Sequence, residues 1–112
     1  MKKITITDIL KMKTEGKKIP VLTAYDYPTS KILSDAGMPI VLVGDSAGMV
    51  FAGNKNTLSV TMDEMRYHTR AVAKGSKNSF IVTDMPFLSF QASIEDARMN
   101  AGLLVKEGAE AV

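Results

Sequence analysis

A chain of 112 residues, 46% hydrophobic and 23% charged, has the length of one ordinary domain and the composition of a globular one rather than a disordered one. Its net charge of +2, from 14 Lys and Arg set against 12 Asp and Glu scattered along the chain, provides no basic stripe for a nucleic-acid groove. The absence of cysteine excludes disulfides and thiolate metal sites and suits a reducing compartment.

Met1-Lys2-Lys3 could open a signal peptide, but Thr5, Thr7, Asp8 and Lys11 interrupt any apolar run. The longest apolar stretch, around Met38 to Val43, falls far short of a bilayer span. The expected location is the cytoplasm, with no membrane partner.

Thr5-Ile6-Thr7-Asp8-Ile9-Leu10 reads as a short capped helix with Ile6, Ile9 and Leu10 on one face and Gly16 as its stop. Val21 to Asp26 reads as a strand. Pro28 then stands near the first turn of a helix carrying Ile32, Leu33 and Ala36, which Gly37 ends. Ile40-Val41-Leu42-Val43 is apolar without alternation, the pattern of a strand covered on both faces in a parallel sheet. The segment from Ser46 to Val60 is long for a βα connection, and loops of that length commonly cover a site. A helix is expected from Thr61, which forms a capping box with Glu64, with Val60 and Met65 as the hydrophobic staple and Gly75 as the end. Phe80 to Asp84 is a third strand. Ser93 and Asp96 open a helix whose Ile94, Ala97, Ala101, Leu104 and Val105 are expected to face inward as far as Gly108. Glu110-Ala111-Val112 has the look of a fourth strand's first residues. The eight methionines are expected to fill gaps in the core.

Repeated βα units with covered strands mean a doubly wound sheet or a (β/α)₈ barrel, and the pattern alone does not choose between them. A barrel takes about 250 residues, so three units and a strand stub would make a single partial barrel domain over 1–112, truncated at its C-terminal side.

Asp26, Asp45 and Asp84 each fall at the C-terminal end of a predicted strand, the edge of parallel α/β folds where ligands bind. Asp26 precedes Tyr27-Pro28 and reads as the cap of the next helix. Asp45 shares a strand face with Val43 and Val41, and Asp84 with Val82 and Phe80. If those faces point to one interior, the two carboxylates meet at one rim, where their repulsion calls for a cation between them. An oxygen-only site with room for water suits Mg²⁺.

Gly44-Asp45-Ser46-Ala47-Gly48 also matches the spacing of a serine hydrolase's nucleophile elbow. That motif needs a helix directly after the serine and a histidine base. Here the helix signal comes only at Thr61, and His68, the only histidine, lies inside that helix beside Tyr67 as a packed side chain. Ser46 is better placed to donate its hydroxyl to a bound anion.

The chain resembles the ketopantoate hydroxymethyltransferase family. The matching segments are Thr23-Ala24-Tyr25-Asp26-Tyr27, Leu42 to Met49, Thr57-Leu58 with Val60-Thr61, Tyr67-His68-Thr69 with Ala71-Val72, and Asp84-Met85-Pro86-Phe87. The resemblance implies the N-terminal part of a (β/α)₈ barrel, homo-oligomeric in the family, that uses Mg²⁺ and a 5,10-methylenetetrahydrofolate co-substrate in pantothenate biosynthesis. By position it implies Asp45 and Asp84 as magnesium ligands, and Asp45, Ser46 and Asp84 as contacts to the 2-oxo acid.

The implied chemistry is removal of the C3 proton of 3-methyl-2-oxobutanoate, chelated through its keto and carboxylate oxygens. The carbanion then attacks the folate's one-carbon unit to give 2-dehydropantoate. The family's catalytic base, substrate lysine and further acidic residue belong to segments past Val112, so little or no activity is expected of these residues alone. Two other readings remain: a Mg²⁺-dependent enzyme of the phosphoenolpyruvate mutase and isocitrate lyase type, and a non-catalytic truncated chain that only associates.

Overall fold

The computed structural model describes residues 2–112. Elements follow in the order α1 (Ile6–Thr14), β1 (Val21–Thr23), α2 (Tyr27–Asp35), β2 (Ile40–Val43), α3 (Ala47–Val50), α4 (Met62–Gly75), β3 (Phe80–Thr83) and α5 (Ile94–Glu107). The local signals account for most of the boundaries. Thr5 caps α1 by accepting from the Asp8 N–H while the Asp8 carboxylate accepts from the Thr5 N–H, so two N-terminal donors that the helix cannot satisfy are satisfied reciprocally. Thr61 and Glu64 do the same for α4, and Ser93 accepts from the Asp96 N–H at the start of α5. Asp26 caps α2 through the Thr29 N–H at 2.8 Å, as expected. Gly108 ends α5 at φ 122°, where any side chain would be strained.

Three parallel strands lie side by side in chain order, β1-β2-β3. Ala111 then bridges Val82 in parallel, the start of a fourth position beyond β3. Helix α4 packs against α2 on one flank, α5 on the other, and β2 and β3 beneath. Sequential strand order with neighbouring helices on one face of the sheet is the arrangement of successive units of a (β/α)₈ barrel. A doubly wound sheet would reverse its strand order and carry helices on both faces.

The core lies between sheet and helices. Val41, Val43 and Ile81 from the strands share one buried cluster with Met65, Val72 and Leu104 from the helices, and both residues of the expected staple, Val60 and Met65, belong to it. Thr83 is also fully buried on that face, where its Oγ1 lies 3.1 Å from Thr69 Oγ1, which itself donates to the Met65 carbonyl. Among the described residues, no helix is long and apolar enough to cross a membrane.

Three packing expectations need correction, and the buried face of α2 is a further finding. Strand β2 is covered on one face only: Val41 and Val43 are buried, whereas Ile40 and Leu42 are half-buried on the side that would become a barrel interior. Helix α2 buries Ser30 and Ser34 fully and packs Leu33 against the core, while Ile32 and Ala36 stay exposed. A β-carbon on Gly75 of α4 would meet Ser30 Oγ at 2.0 Å, and backbones this close admit only small residues. Ile32 is consequently 68% exposed. Helix α5 buries Leu104 alone, while Ile94 and Val105 are exposed, because within these residues only α4 and the sheet cover it. Of the methionines, Met65 is fully buried and Met38, Met62 and Met85 adjoin the core, but Met49 and Met99 are exposed and Met1 lies outside the described residues.

Candidate metal and substrate site

Asp45, Ser46 and Asp84 come together at the C-terminal edge of β2 and β3, though not by the expected route. Val43 pairs with Thr83 and Leu42 with Val82. Residues paired across a parallel ladder point to the same side, so Val41 and Val43 share the helix-facing side with Ile81 and Thr83, while Phe80 and Val82 lie opposite. Continued as strands, the two chains would send Asp45 and Asp84 to opposite faces.

They meet because β2 stops at Val43 and the chain turns at Gly44. The Asp84 N–H still donates to the Val43 carbonyl at 2.9 Å, which keeps Asp84 on its ladder. The turn brings the Asp45 N–H to Asp84 Oδ2 at 3.0 Å. Gly44 is required here for space. Its φ is ordinary, but a β-carbon would stand 2.9 Å from Ser46 Oγ and 3.3 Å from Asp84 Oδ2.

Burial first, and the Asp84 charge second, push the Asp45 carboxyl above its ordinary pKa of 3.8, with the Thr57 hydroxyl opposing them. A pair of carboxylates in that condition is relieved by a cation. Both open onto a hollow of about 480 Å³ lined also by Met85, Phe90 and Val112. Among the described residues, no third His, Cys, Asp or Glu joins them to complete a three-ligand cluster. Two hard oxygen donors beside an open hollow fit Mg²⁺, which keeps several waters and takes one or two carboxylates together with substrate oxygens.

Ser46 is followed at once by α3, contrary to the expectation that no helix begins before Thr61. The four-residue turn closes through local bonds, Met49 and Val50 N–H to the Ser46 carbonyl, a geometry that neither β-periodicity nor a longer amphipathic pattern announces. The elbow reading gains nothing from it. Ser46 sits at φ −54°, ψ −14°, an unstrained helical conformation, and its Oγ lies 2.8 Å from the Tyr25 hydroxyl rather than near a base. His68 is buried on α4, its Nδ1 2.8 Å from the Tyr25 carbonyl, as the packed side chain expected.

Tyr25 and Thr57 are the site neighbours that the sequence reading passed over. Tyr25 stands at the end of β1, on the edge that singled out Asp45 and Asp84, and the same strand-end argument would have found it. Thr57 lies in the long connection and carries no such signal.

The computed fold overlaps that of a crystallised oxaloacetate acetylhydrolase with a TM-score of 0.64, over 91% of this chain and 37% of that one, at 14% identity, a likeness of fold alone. Closer in sequence are the 3-methyl-2-oxobutanoate hydroxymethyltransferases. That of Geobacter sulfurreducens is 61% identical over 96% of this chain, and that of Saccharolobus islandicus is 55% identical over 100% of this chain. The chain spans 41% and 42% of those relatives, about two fifths of their length. The family model described as ketopantoate hydroxymethyltransferase matches residues 3–112, a span that contains both strand-end aspartates, the turn at Gly44 and Ser46. With nearly every residue matched and such identity to its members, the chain belongs to the ketopantoate hydroxymethyltransferase family.

Proposed function

We propose that the protein carrying these residues transfers a hydroxymethyl group from 5,10-methylenetetrahydrofolate to 3-methyl-2-oxobutanoate, giving 2-dehydropantoate for pantothenate synthesis, with Mg²⁺ at the site. The observation that supports this most is the meeting of Asp45 and Asp84 at one rim, joined by the 3.0 Å bond from the Asp45 N–H to Asp84 Oδ2. In this reading both carboxylates hold the metal, and Asp45, Ser46 and Asp84 contact the 2-oxo acid. Bound Mg²⁺ supplies stabilisation of the negative charge that develops on the keto oxygen as the C3 proton leaves.

Ser46 donates its hydroxyl to the substrate's anionic end, and the bond from the Asp45 N–H orients the Asp84 carboxylate towards the rim. The titratable groups lining the hollow are those same two aspartates. A metal ligand cannot also serve as the base, so the proton acceptor comes from elsewhere in the protein, and these 112 residues alone would bind rather than turn over. The same reading places the protein in the cytoplasm as a homo-oligomer, with no nucleic-acid or membrane partner.

The test is formation of 2-dehydropantoate from the two substrates with Mg²⁺ and its loss in Asp84→Asn. Turnover that needs no folate, with another 2-oxo acid as substrate, would favour the phosphoenolpyruvate mutase type instead. The fold likeness to the acetylhydrolase does not supply that support.

A further inference from the structure

The Ser46 hydroxyl has one proton and two candidate acceptors. Its Oγ lies 2.8 Å from the phenolic oxygen of Tyr25, a contact in which either group could donate. In a site that takes an acid, the direction is forced. A carboxylate only accepts hydrogen bonds, so a serine bound to it directs its single proton there. Tyr25 is then the donor of the Tyr25–Ser46 pair, and its donation polarises the serine O–H towards the anion.

The placement of Tyr25 is fixed from several sides. One residue before it, the Ala24 N–H donates to the Leu42 carbonyl at 3.0 Å. One residue after it, Asp26 caps α2. His68 reaches from α4 with Nδ1 2.8 Å from the Tyr25 carbonyl. A carbonyl only accepts, so Nδ1 carries the proton. The two rings also meet edge to face at 6.2 Å, and Phe51 and Tyr67 stand edge-on to His68 at 5.0 and 5.6 Å. The imidazole thus holds the main chain of Tyr25 while its phenol spans from the end of β1 to the turn after β2.

We propose that Tyr25 is a positioning residue for acid binding: its hydroxyl orients Ser46 Oγ so that the serine proton faces the carboxylate of the bound 2-oxo acid. The inference rests on the function proposed above and adds the end of β1 to a site otherwise built on β2 and β3.

It is tested by calorimetric binding of 3-methyl-2-oxobutanoate, with Mg²⁺ present, to the protein and to its Tyr25→Phe, Ser46→Ala and doubly substituted variants. Tyr25→Phe removes only the hydroxyl and is expected to weaken binding about three- to tenfold, the scale of one neutral hydrogen bond. In turnover the loss appears in KM. Ser46→Ala is expected to weaken binding at least as much. The double variant should bind like Ser46→Ala, because Tyr25 acts through the serine. A Tyr25→Phe protein that melts lower but binds like the parent, or losses that add in the double variant, would overturn the inference and leave the functional reading standing. A parent protein that does not bind the acid removes the functional reading and this inference with it.

Discussion

Substituting Gly44 by alanine tests the turn on which the site depends. The new methyl group would stand 2.9 Å from Ser46 Oγ and 3.3 Å from Asp84 Oδ2, the first too close for any real contact and the second tight. The relief available is a shift of the Ser46 side chain and a displacement of a few tenths of an ångström at Asp84. Ser46 then loses its 2.8 Å bond to Tyr25, and Asp84 strains or loses the 3.0 Å bond from the Asp45 N–H. A neutral bond contributes ~1 kcal/mol and one to a charged acceptor ~2 kcal/mol, so a stability loss of about 1–3 kcal/mol is expected.

The effect on metal binding should be the larger one. Mg²⁺ demands near-ideal octahedral geometry, and displacing the partners that orient metal ligands typically costs ~10–100-fold in affinity. Urea denaturation measures the first quantity and calorimetric titration with Mg²⁺ the second. A variant with unchanged stability and unchanged Mg²⁺ affinity would show that the turn does not need the space a glycine leaves beside Ser46 and Asp84.

Three further outcomes follow from the packing and the charges. Gly75→Ala places a methyl group 2.0 Å from Ser30 Oγ, 2.6 Å from the Tyr27 carbonyl and 2.9 Å from the Lys31 nitrogen. Two of these are backbone atoms, so α2 and α4 must separate and urea unfolding should report a loss of ~3 kcal/mol or more. Thr69→Val removes the hydroxyl 3.1 Å from that of Thr83 and should cost ~1–3 kcal/mol. Thr69→Val with Thr83→Val should recover part of this, since no buried hydroxyl is then left unpaired; a double-mutant cycle in urea checks both. The Asp45 carboxyl is held above its ordinary value of 3.8 by burial and by Asp84, so the folded state takes up its proton before the unfolded state does. Its contribution is therefore fully present below that ordinary value and lost as pH rises through the raised one. At neutral pH without Mg²⁺, Asp45→Asn should raise the melting temperature, and added Mg²⁺ should stabilise the parent but not the variant.

What the sequence made legible were features closed over a few residues. The Thr61–Glu64 capping box, the Val60–Met65 staple, the Asp26 cap and the stop at Gly108 need only neighbours three to five positions away, and each stands where its residue types put it. The site was legible as far as its members, because strand ends in a βα pattern can be counted.

Its geometry was not. Alternation along strands would have sent Asp45 and Asp84 to opposite faces, and the turn at Gly44 that reunites them uses the space a glycine leaves beside Ser46 and the distant Asp84, which no local pattern encodes. The buried face of α2 was not legible for a related reason. Hydrophobicity does not distinguish Leu33, which packs on the core, from Ile32, which is exposed, and the close approach to Gly75 is what places Ser30 on the buried side. Pairwise contacts over long sequence separations decide such questions, as does the hydrogen bond between Tyr25 and Ser46 across 21 residues.

The shared cation is tested most directly by a crystal structure of the protein with Mg²⁺ bound. Carboxylate oxygens of residues 45 and 84 should both lie about 2.1 Å from one ion, with waters completing its octahedron. An ion held by one aspartate alone, or bound at some other place on the rim, would contradict the account.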